Sequence, residues 1–273
     1  MGVTTDRRQI VRYLDGVGDA RADAVAVESP LTLVLDGEVL MTTMRTPGHD
    51  LDLAAGWLVN ESGVRRSADI VTMGAFASHD DDDIDIDTVR VSLAAGVEPP
   101  RPRAFVTSSA CGVCSADMLA AIRPPDGPLH SPGWTLRPDA VVPLLDRMRS
   151  QQRMFDRTGA LHAAALVDPA GDLRWVREDV GRHNAVDKAV GRALLDDLLP
   201  LTDHVLLVSG RVSYEIVHKA LTAGVAAVAA ISGPTTLAVD LAREHDLVLI
   251  GFARTDRLNV YAGAASVPNG GSA

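Results

Sequence analysis

Short apolar runs and turn signals dominate the first half of this chain. LTLVL and EVLMTTM stand on either side of Asp36-Gly37, which predicts two strands joined by a hairpin turn. Pro47-Gly48 then breaks the chain before LDLAAGWLVNESG, where apolar residues recur at helical spacing. DIVTMG and DTVRVSL indicate two more strands around an acidic run. The first half is therefore predicted to be rich in strands.

From about residue 134 onward, strand patterns alternate with helical patterns. The predicted strands are LHAAALV, LRWVRED, HVLLVSG, VAAVAAIS, LVLIGFA and a short RLNVYA, and the predicted helices are RPDAVVPLLDRMRSQQ, residues 184–195, SYEIVHKALTAG and TTLAVDLAREHD. Because the later strands are apolar on both faces, they indicate an α/β layer with a mixed, largely parallel sheet covered by helices. Ligands of such sheets bind beyond the carboxyl ends of the strands.

The change of pattern divides the 273 residues into four parts. Residues 1–24 are charged and rich in Gly, Ala and Asp, and we expect a flexible arm there. Residues 25–133 form a smaller β-rich subdomain, residues 134–264 form the α/β core, and residues 265–273 form a tail. A chain of this length is sufficient to bury a sizeable core.

Composition and charge exclude several classes of function. Apolar residues make up 47% and charged residues 23%, as in ordinary globular proteins. The formal charge of −10 argues against general affinity for nucleic acid. No apolar run approaches the roughly 20 residues of a membrane span, and the N-terminus lacks the apolar stretch of a secretory signal. With 2 cysteines there is no disulfide scaffold, so we expect a cytoplasmic protein with reduced thiols and no membrane association.

Much of the negative charge lies in HDDDDIDID at residues 79–87. A solvated loop is the favoured interpretation, because no glycine follows at the spacing of a calcium loop. A calcium site or a docking tag is the alternative.

Both cysteines lie in TSSACGVCSADM, where Gly112 and Val113 separate Cys111 from Cys114. Such a pair can be half of a zinc site, a redox disulfide or a reactive thiolate. A zinc site needs two more ligands, and His162 or His183 could supply them, but there is no second cysteine pair. A thioredoxin-like motif is expected near the start of a parallel βαβ unit, but this cysteine pair does not occupy such a position.

A nucleophilic thiolate suits this loop best, although the other readings remain open. The cysteines are surrounded by small residues, and Ser115 can cap a short helix over ADMLAAI whose N-terminus would lower a thiol pKa. Two structural cysteines packed as small apolar groups would be the ordinary alternative. That alternative fits poorly with so polar and glycine-flanked a stretch.

A second dense polar segment is REDVGRHNAVDKAVG at residues 177–191, placed at a junction from strand to helix. From composition alone we interpret it as a capped helix with surface ion pairs. The alternative is an anion site, because the helix that begins after Gly181 would present its N-terminus there. His162 on the neighbouring strand approaches the same end of the sheet, although a lone strand histidine is usually structural.

Two strand ends, SGRVSYE and SGPTTLA, place small hydroxyl residues before a helix. Taken singly, each is an ordinary helix cap. Together with Arg211, Arg254 and Arg257, their backbone N–H groups make a site for a nucleotide-like anion credible. Neither is a P-loop.

Five motifs in order, SSACGVC, TGALHAA, EDVGRHNAVDK, SGRVSYEIVHKA and SGPTTLAVDLA with GFAR and NVY, resemble the FdhD family of formate dehydrogenase accessory sulfurtransferases. The resemblance runs from about residue 30 to residue 261. Ser115 stands where the family usually has glycine, and Ala160 stands where a second glycine is common.

The resemblance implies a sulfur carrier with a fold similar to cytidine deaminases. A cysteine desulfurase would donate persulfide sulfur to a loop cysteine. The carrier would pass it to the molybdenum bis(molybdopterin guanine dinucleotide) cofactor before that cofactor enters formate dehydrogenase. Family members are described as homodimers, and no permanent cofactor is expected.

By position, the resemblance makes Cys111 the persulfide cysteine and Cys114 its loop partner. It also makes the cofactor-binding stretch Phe252, Ala253, Arg254, Thr255, Asp256 and Arg257, to which we add His183 and Arg211 as strand-end anion contacts. Two other classes remain as alternatives: a chaperone that delivers the cofactor without sulfur chemistry, and a zinc-dependent, deaminase-like hydrolase.

Overall fold

The computed structural model describes residues 3–79, 85–100, 127–255 and 257–268, with the backbone alone at 77–79, 85 and 86. Its elements are β1 (Thr5–Leu14), β2 (Val17–Ala26), β3 (Ser29–Leu35), β4 (Glu38–Arg45), α1 (Asp50–Glu61), β5 (Ile70–His79), β6 (Asp85–Leu93), α2 (Pro138–Ser150), α3 (Arg153–Thr158), β7 (His162–Val167), β8 (Leu173–Asp179), α4 (Arg182–Leu195), β9 (Val205–Val208), α5 (Tyr214–Thr222), β10 (Ala227–Ala230), α6 (Thr236–Glu244), β11 (Val248–Arg254) and β12 (Arg257–Ala262). Within these ranges, every helix is too short or too polar to cross a membrane.

The second half forms a six-stranded mixed sheet in the order β12-β11-β10-β9-β7-β8. Strands β9, β10 and β11 pair in parallel, whereas β12, β7 and β8 are antiparallel to their neighbours. The predicted α/β class and mixed sheet are confirmed, but the parallel share is smaller than predicted. The connections from β7 to β8 and from β11 to β12 are too short for a crossover, so those strands can only pair antiparallel.

Alternate residues of the central strands pack in two different apolar cores, one on each face of the sheet. This half of the chain therefore has three layers, with helices on both faces of the sheet. Leu206 and Val208 on β9 belong to the core shared with α4, α5 and α6. Their neighbours Val205 and Leu207 pack in a second core with α2. Successive side chains of a strand point to opposite faces of the sheet. Because both faces are buried here, the strand is apolar at every position.

The first half folds as a four-stranded sheet in the order β4-β3-β6-β5, with β3 and β6 parallel. Helix α1 lies between this sheet and α4, and residues from both sheets share one continuous core. The four strands and the helix over LDLAAGWLVNESG that were predicted for this half are therefore confirmed.

Helices α1 and α4 approach each other at backbone distance where Gly56 faces Gly191. A β-carbon on Gly191 would lie 1.8 Å from the carbonyl oxygen of Asp52, and one on Gly56 would lie 1.9 Å from that of Asp187. No side chain fits at either position. The two glycines therefore set the distance between two lobes, the β-rich first half that carries α1 and the α/β second half that carries α4.

Residues 5–26 form the β1–β2 hairpin, so the stretch predicted as a flexible arm contains two paired strands, and its flexibility stays a prediction. Asp15 and Gly16 at its turn both have left-handed backbones, with φ of 50° and 82°. Such a turn matches the twist of antiparallel strands. Val11, Tyr13, Leu14 and Val17 near the tip are 57–73% exposed.

The acidic run and the C-terminal segment also differ from a simple loop and tail. Strand β5 continues to His79 and β6 begins at Asp85, so the described ends of the run are paired strands, and residues 80–84 lie outside the described ranges. Val267 is buried in the second core, within the predicted tail. The domain boundaries at residues 24, 133 and 264 stay predictions.

Candidate functional site

The cysteine loop lies outside the described residues. Cys111 and Cys114, with the predicted helix over ADMLAAI, fall within residues 101–126, and Asp256 is also outside. Their predicted roles therefore stay predictions. The other predicted site residues can be placed.

Phe252 stands at the carboxyl end of β11 with an unusual backbone. Its φ is 50°, in the left-handed region, and the β11–β12 register shifts between Gly251 and Arg254. Its N–H donates to the carbonyl oxygen of Ser232 at 3.2 Å, which anchors this bulge to the end of β10. A bulky residue held in this conformation is strained and is common at functional sites.

The Phe252 ring packs directly against Gly233, at a position where any larger residue would clash with it. A β-carbon on Gly233 would lie 2.5 Å from the ring. The side chain nevertheless remains 39% exposed. The ring is thus held in position with one part open to solvent, where it can stack on a planar group. Ala253, the next residue, is buried, which fixes this end of β11 against the core.

Arg254 and Arg257 face each other across the β11–β12 turn as paired positions, with Thr255 between them. All three are exposed. Two guanidinium groups so placed can reach phosphate groups of a ligand that stacks on Phe252.

The ends of β9 and β10 are joined into one edge. Val212 and Pro234 form an isolated parallel bridge, in which the Val212 N–H donates to Gly233 at 3.2 Å. The Thr235 N–H donates back to Val212 at 3.0 Å. Arg211 is exposed beside this bridge. The two strand ends that the sequence predicted to act together as an anion site therefore form a single surface.

His183 lies in the first turn of α4 and contacts the first turn of α5. Its Nε2 is 2.7 Å from Oε2 of Glu215 and 3.2 Å from Oγ of Ser213. Both partners face the same ring nitrogen, so this is not the relay of a hydrolytic triad, which uses both nitrogens. The arrangement orients the imidazole and ties α4 to α5 at the edge of the site.

Part of the polar segment at residues 177–191 is buried, so its interpretation as surface ion pairs was wrong. Lys188 Nζ lies 2.7 Å from Asp179 Oδ2, with 1% and 0% of the two side chains exposed. Asp179 also accepts the N–H of Gly181 at 2.8 Å, and Lys188 donates to the Thr46 carbonyl at 2.9 Å. The pair is buried because α1 and its preceding loop cover this face of α4.

A second buried pair lies one residue along the same helix. Asp187 Oδ1 accepts from Lys219 Nζ at 2.7 Å and from Asn60 Nδ2 at 2.9 Å. Burial raises the pKa of Asp187, while Lys219 acts to lower it. Together the two pairs fix α4 to α1 and α5, and so hold the loop before α4 at the sheet end.

His162, the first residue of β7, lies at the same edge. Burial lowers its pKa, and the neighbouring Arg182, His183 and Arg211 lower it further, while Asp179 acts in the opposite direction. Neutral imidazole is therefore the favoured form at this position. Arg182 and Arg211 thus place positive charge at this edge although the whole chain has a formal charge of −10.

The structure brings together most of the predicted site residues that lie within the described ranges. Arg211 and Phe252 share one joined edge, and His183 lies at the adjacent end of α4. Sequence reasoning missed Arg182 and Glu215 as site residues. The only signal for Glu215 was its place in the first turn after a strand-end serine.

Within the described residues, no group of three or more His, Cys, Asp or Glu side chains is placed to hold a metal ion. Because both cysteines lie outside those residues, the alternative of a zinc site at the cysteine pair is not tested by this observation.

Comparisons with known proteins agree with this architecture. A model of the FdhD/NarQ family matches residues 26–267. A sulfur carrier protein FdhD of Streptomyces coelicolor is 47% identical, covering 98% of this chain and 97% of its own. A protein of the same name from Mycobacterium tuberculosis is 40% identical, covering 97% of this chain and 99% of its own.

A crystal structure from Desulfotalea psychrophila, of a protein proposed to be a formate dehydrogenase accessory protein, has the same fold. The TM-score is 0.77 at 20% identity, covering 97% of this chain and 100% of that chain. The family match over most of the length, with relatives above 40% identity, settles the assignment: the chain belongs to the FdhD/NarQ family.

Proposed function

We propose that this protein is a sulfur carrier required for formate dehydrogenase activity, working as a sulfurtransferase with a cysteine persulfide intermediate. The observation on which the proposal depends is that relatives 40–47% identical over nearly the whole chain are named sulfur carrier protein FdhD. Cys111 is proposed as the persulfide cysteine, with Cys114 as its loop partner. We propose that the reaction takes place in the cytoplasm.

The first half-reaction is a thiol exchange with a cysteine desulfurase. The Cys111 thiolate attacks the outer sulfur of the donor persulfide, a new S–S bond forms on Cys111, and the donor cysteine leaves as a thiolate. No electrons are gained or lost overall. The small residues around the pair in SSACGVC suit a loop that must meet two partners in turn.

The substrate that receives the sulfur is proposed to be the molybdenum bis(molybdopterin guanine dinucleotide) cofactor before its insertion into formate dehydrogenase. Phe252 offers a partly exposed ring for stacking a guanine base. Arg211, Arg254 and Arg257 offer guanidinium groups for the phosphates. His183, Ala253, Thr255 and Asp256 complete the proposed binding set.

The decisive experiment measures sulfur on the cysteines. Incubation with a cysteine desulfurase and cysteine should add about 32 Da, the mass of one sulfur, to a peptide that contains Cys111. Cys111→Ala should abolish the adduct, and an unrelated surface change such as Leu237→Ala should not. A chaperone without sulfur chemistry would still support formate dehydrogenase after loss of both thiols, and that result would contradict the proposal.

We also propose that the active form is a homodimer. Light scattering of the purified protein should then give twice the chain mass of 28.8 kDa. A monomeric mass that persists at high protein concentration would contradict it.

A further inference from the structure

A second polar cluster adjoins the proposed cofactor site at the start of β7. Because β7 runs antiparallel to β9, its first residue, His162, lies at the carboxyl end of β9. A β-carbon on Gly210 would be 3.2 Å from His162 Nδ1 and 3.5 Å from Cβ of Arg182. An imidazole and an arginine stem therefore border the same small backbone segment.

Hydrogen bonds hold this corner in one geometry. The Ala163 N–H donates to Ser209 Oγ at 2.9 Å, and the Ser209 N–H donates back to the Ala163 carbonyl at 3.0 Å. His162 and Gly210 are the neighbours of this reciprocal pair in sequence. The backbone that carries His162 is thus held by the sheet itself and not by a free loop.

The charged and titratable groups that affect the pKa of His162 come from three elements. Arg182 and His183 belong to α4, Arg211 follows β9, and Asp179 ends β8. Asp179 is already engaged by Lys188 at 2.7 Å and by the Gly181 N–H at 2.8 Å. His183 is engaged by Glu215 at 2.7 Å. Among the charged groups that lower the pKa of His162, Arg182 has the largest effect.

We propose that His162, Arg182 and Arg211 form a phosphate subsite in which His162 takes up a proton when the anion binds. Guanidinium groups and backbone N–H groups at the end of a parallel strand are suited to phosphate oxygens. An imidazole beside them contributes a charged hydrogen bond only when both ring nitrogens carry protons. This inference rests on the proposed function, because Arg211 belongs to the proposed cofactor-binding set.

The direction of the pH effect follows from the surroundings. In the free protein burial lowers the pKa of His162, and Arg182 and Arg211 add to the effect, so the neutral ring is favoured. A bound phosphate opposes that field and raises the pKa of the ring. The anion therefore binds more tightly as the pH falls, until it passes below the pKa of the free form, and binding consumes a proton.

The test uses inorganic pyrophosphate and the full chain. The pKa of His162 is followed by NMR of protein labelled in histidine, with His162→Gln used to assign its signal. Saturating pyrophosphate should raise that pKa by about one unit, equivalent to about tenfold tighter binding to the protonated form. Calorimetry in buffers of different ionisation enthalpy should show proton uptake, and His162→Gln should retain weaker binding with a flatter pH profile.

His204→Gln is the matched control, because His204 precedes β9 and lies at the opposite end of the sheet. It should leave pyrophosphate binding and its pH profile unchanged. Failure of millimolar pyrophosphate to bind, or binding that leaves the pKa of His162 unchanged, would overturn the subsite. Either result leaves persulfide formation untouched, and loss of the persulfide with an intact pyrophosphate response would instead overturn the sulfur-carrier proposal.

Discussion

Asp179 and Lys188 form an ion pair that is closed to solvent, with Oδ2 and Nζ 2.7 Å apart and no more than 1% of either side chain exposed. The pair lies where the loop before α1 meets the N-terminal half of α4. It therefore links the β-rich lobe to the α/β core directly behind the candidate site.

Removal of one partner from this pair should destabilise the protein strongly. Lys188→Met leaves a buried carboxylate without its cation, so we expect a loss of about 3–5 kcal/mol in the free energy of unfolding. Urea denaturation followed by circular dichroism measures it. The control is Arg192→Met on the same helix, where Arg192 pairs with Asp196 at 41% and 31% exposure. There the loss should stay below about 1 kcal/mol, and equal losses in the two variants would contradict the importance of burial.

The contact between α1 and α4 should not tolerate a single added methyl group. Gly191→Ala would place a β-carbon 1.8 Å from the Asp52 carbonyl, so the helices must separate. The clash should outweigh the gain of about 1 kcal/mol in helix propensity and give a net loss of about 2 kcal/mol or more.

Gly37→Ala provides the comparison for this clash. Gly37 has a φ of +91° and nothing within 4 Å of its added β-carbon, so only backbone strain of about 1 kcal/mol is expected. Thermal unfolding of both variants measures the difference. A Gly191→Ala protein as stable as the parent would show that the helices do not meet at backbone distance.

Two substitutions at Phe252 should separate binding from folding. Phe252→Ala and Phe252→Gly both remove the ring, so both should weaken guanosine diphosphate binding by about tenfold or more, the range for loss of a stacked base. They should differ in stability, because φ is 50° at this position. The Gly variant should be about 1 kcal/mol more stable than the Ala variant.

Calorimetric titration and thermal unfolding give the two readouts. Leu237→Ala, which removes a 55% exposed side chain from α6, should change neither. Unchanged nucleotide affinity in both Phe252 variants would exclude the ring from the binding site.

Stability should decrease as the pH falls below about 6.5, the ordinary pKa of histidine. Burial lowers the pKa of His49, with Arg177 adding to the effect and Asp52 opposing it, and burial likewise lowers the pKa of His162. A histidine with a lowered pKa in the folded state binds fewer protons than in the unfolded state, so acid favours unfolding. The effect is confined to the range between the ordinary pKa and the lowered one.

The measurement compares unfolding free energies at several pH values in that range. His49→Gln should lose less stability than the parent chain as the pH falls. A steeper loss in the variant would mean that protonated His49 stabilises the fold through Asp52, whose Oδ2 lies 3.5 Å from Nδ1.

Local pattern was sufficient for most elements of the fold. The hairpin at Asp36-Gly37, the helix over LDLAAGWLVNE and the strands of the large sheet follow from turn chemistry and periodicity, because each depends on neighbours in sequence. The β1–β2 hairpin was missed although Asp15-Gly16 is a strong turn signal. Its strands are exposed on both faces where they project, so no alternation of apolar and polar residues marks them.

In the candidate site, too, some residues could be identified from the sequence, whereas their contacts depend on the fold. The cysteine pair, Arg211 and the stretch after β11 can be singled out from the sequence, because their chemistry is readable from residue type and from their place after a strand. The partnership of His183 with Glu215 joins positions 32 residues apart, and that of Thr46 with Lys188 joins positions much further apart. Whether an ion pair is buried or exposed depends on what packs over it. Asp179 and Lys188 are buried because α1, a helix more than a hundred residues earlier in the chain, packs over them. That contact exists only in the folded arrangement of both lobes, so local sequence could not predict it.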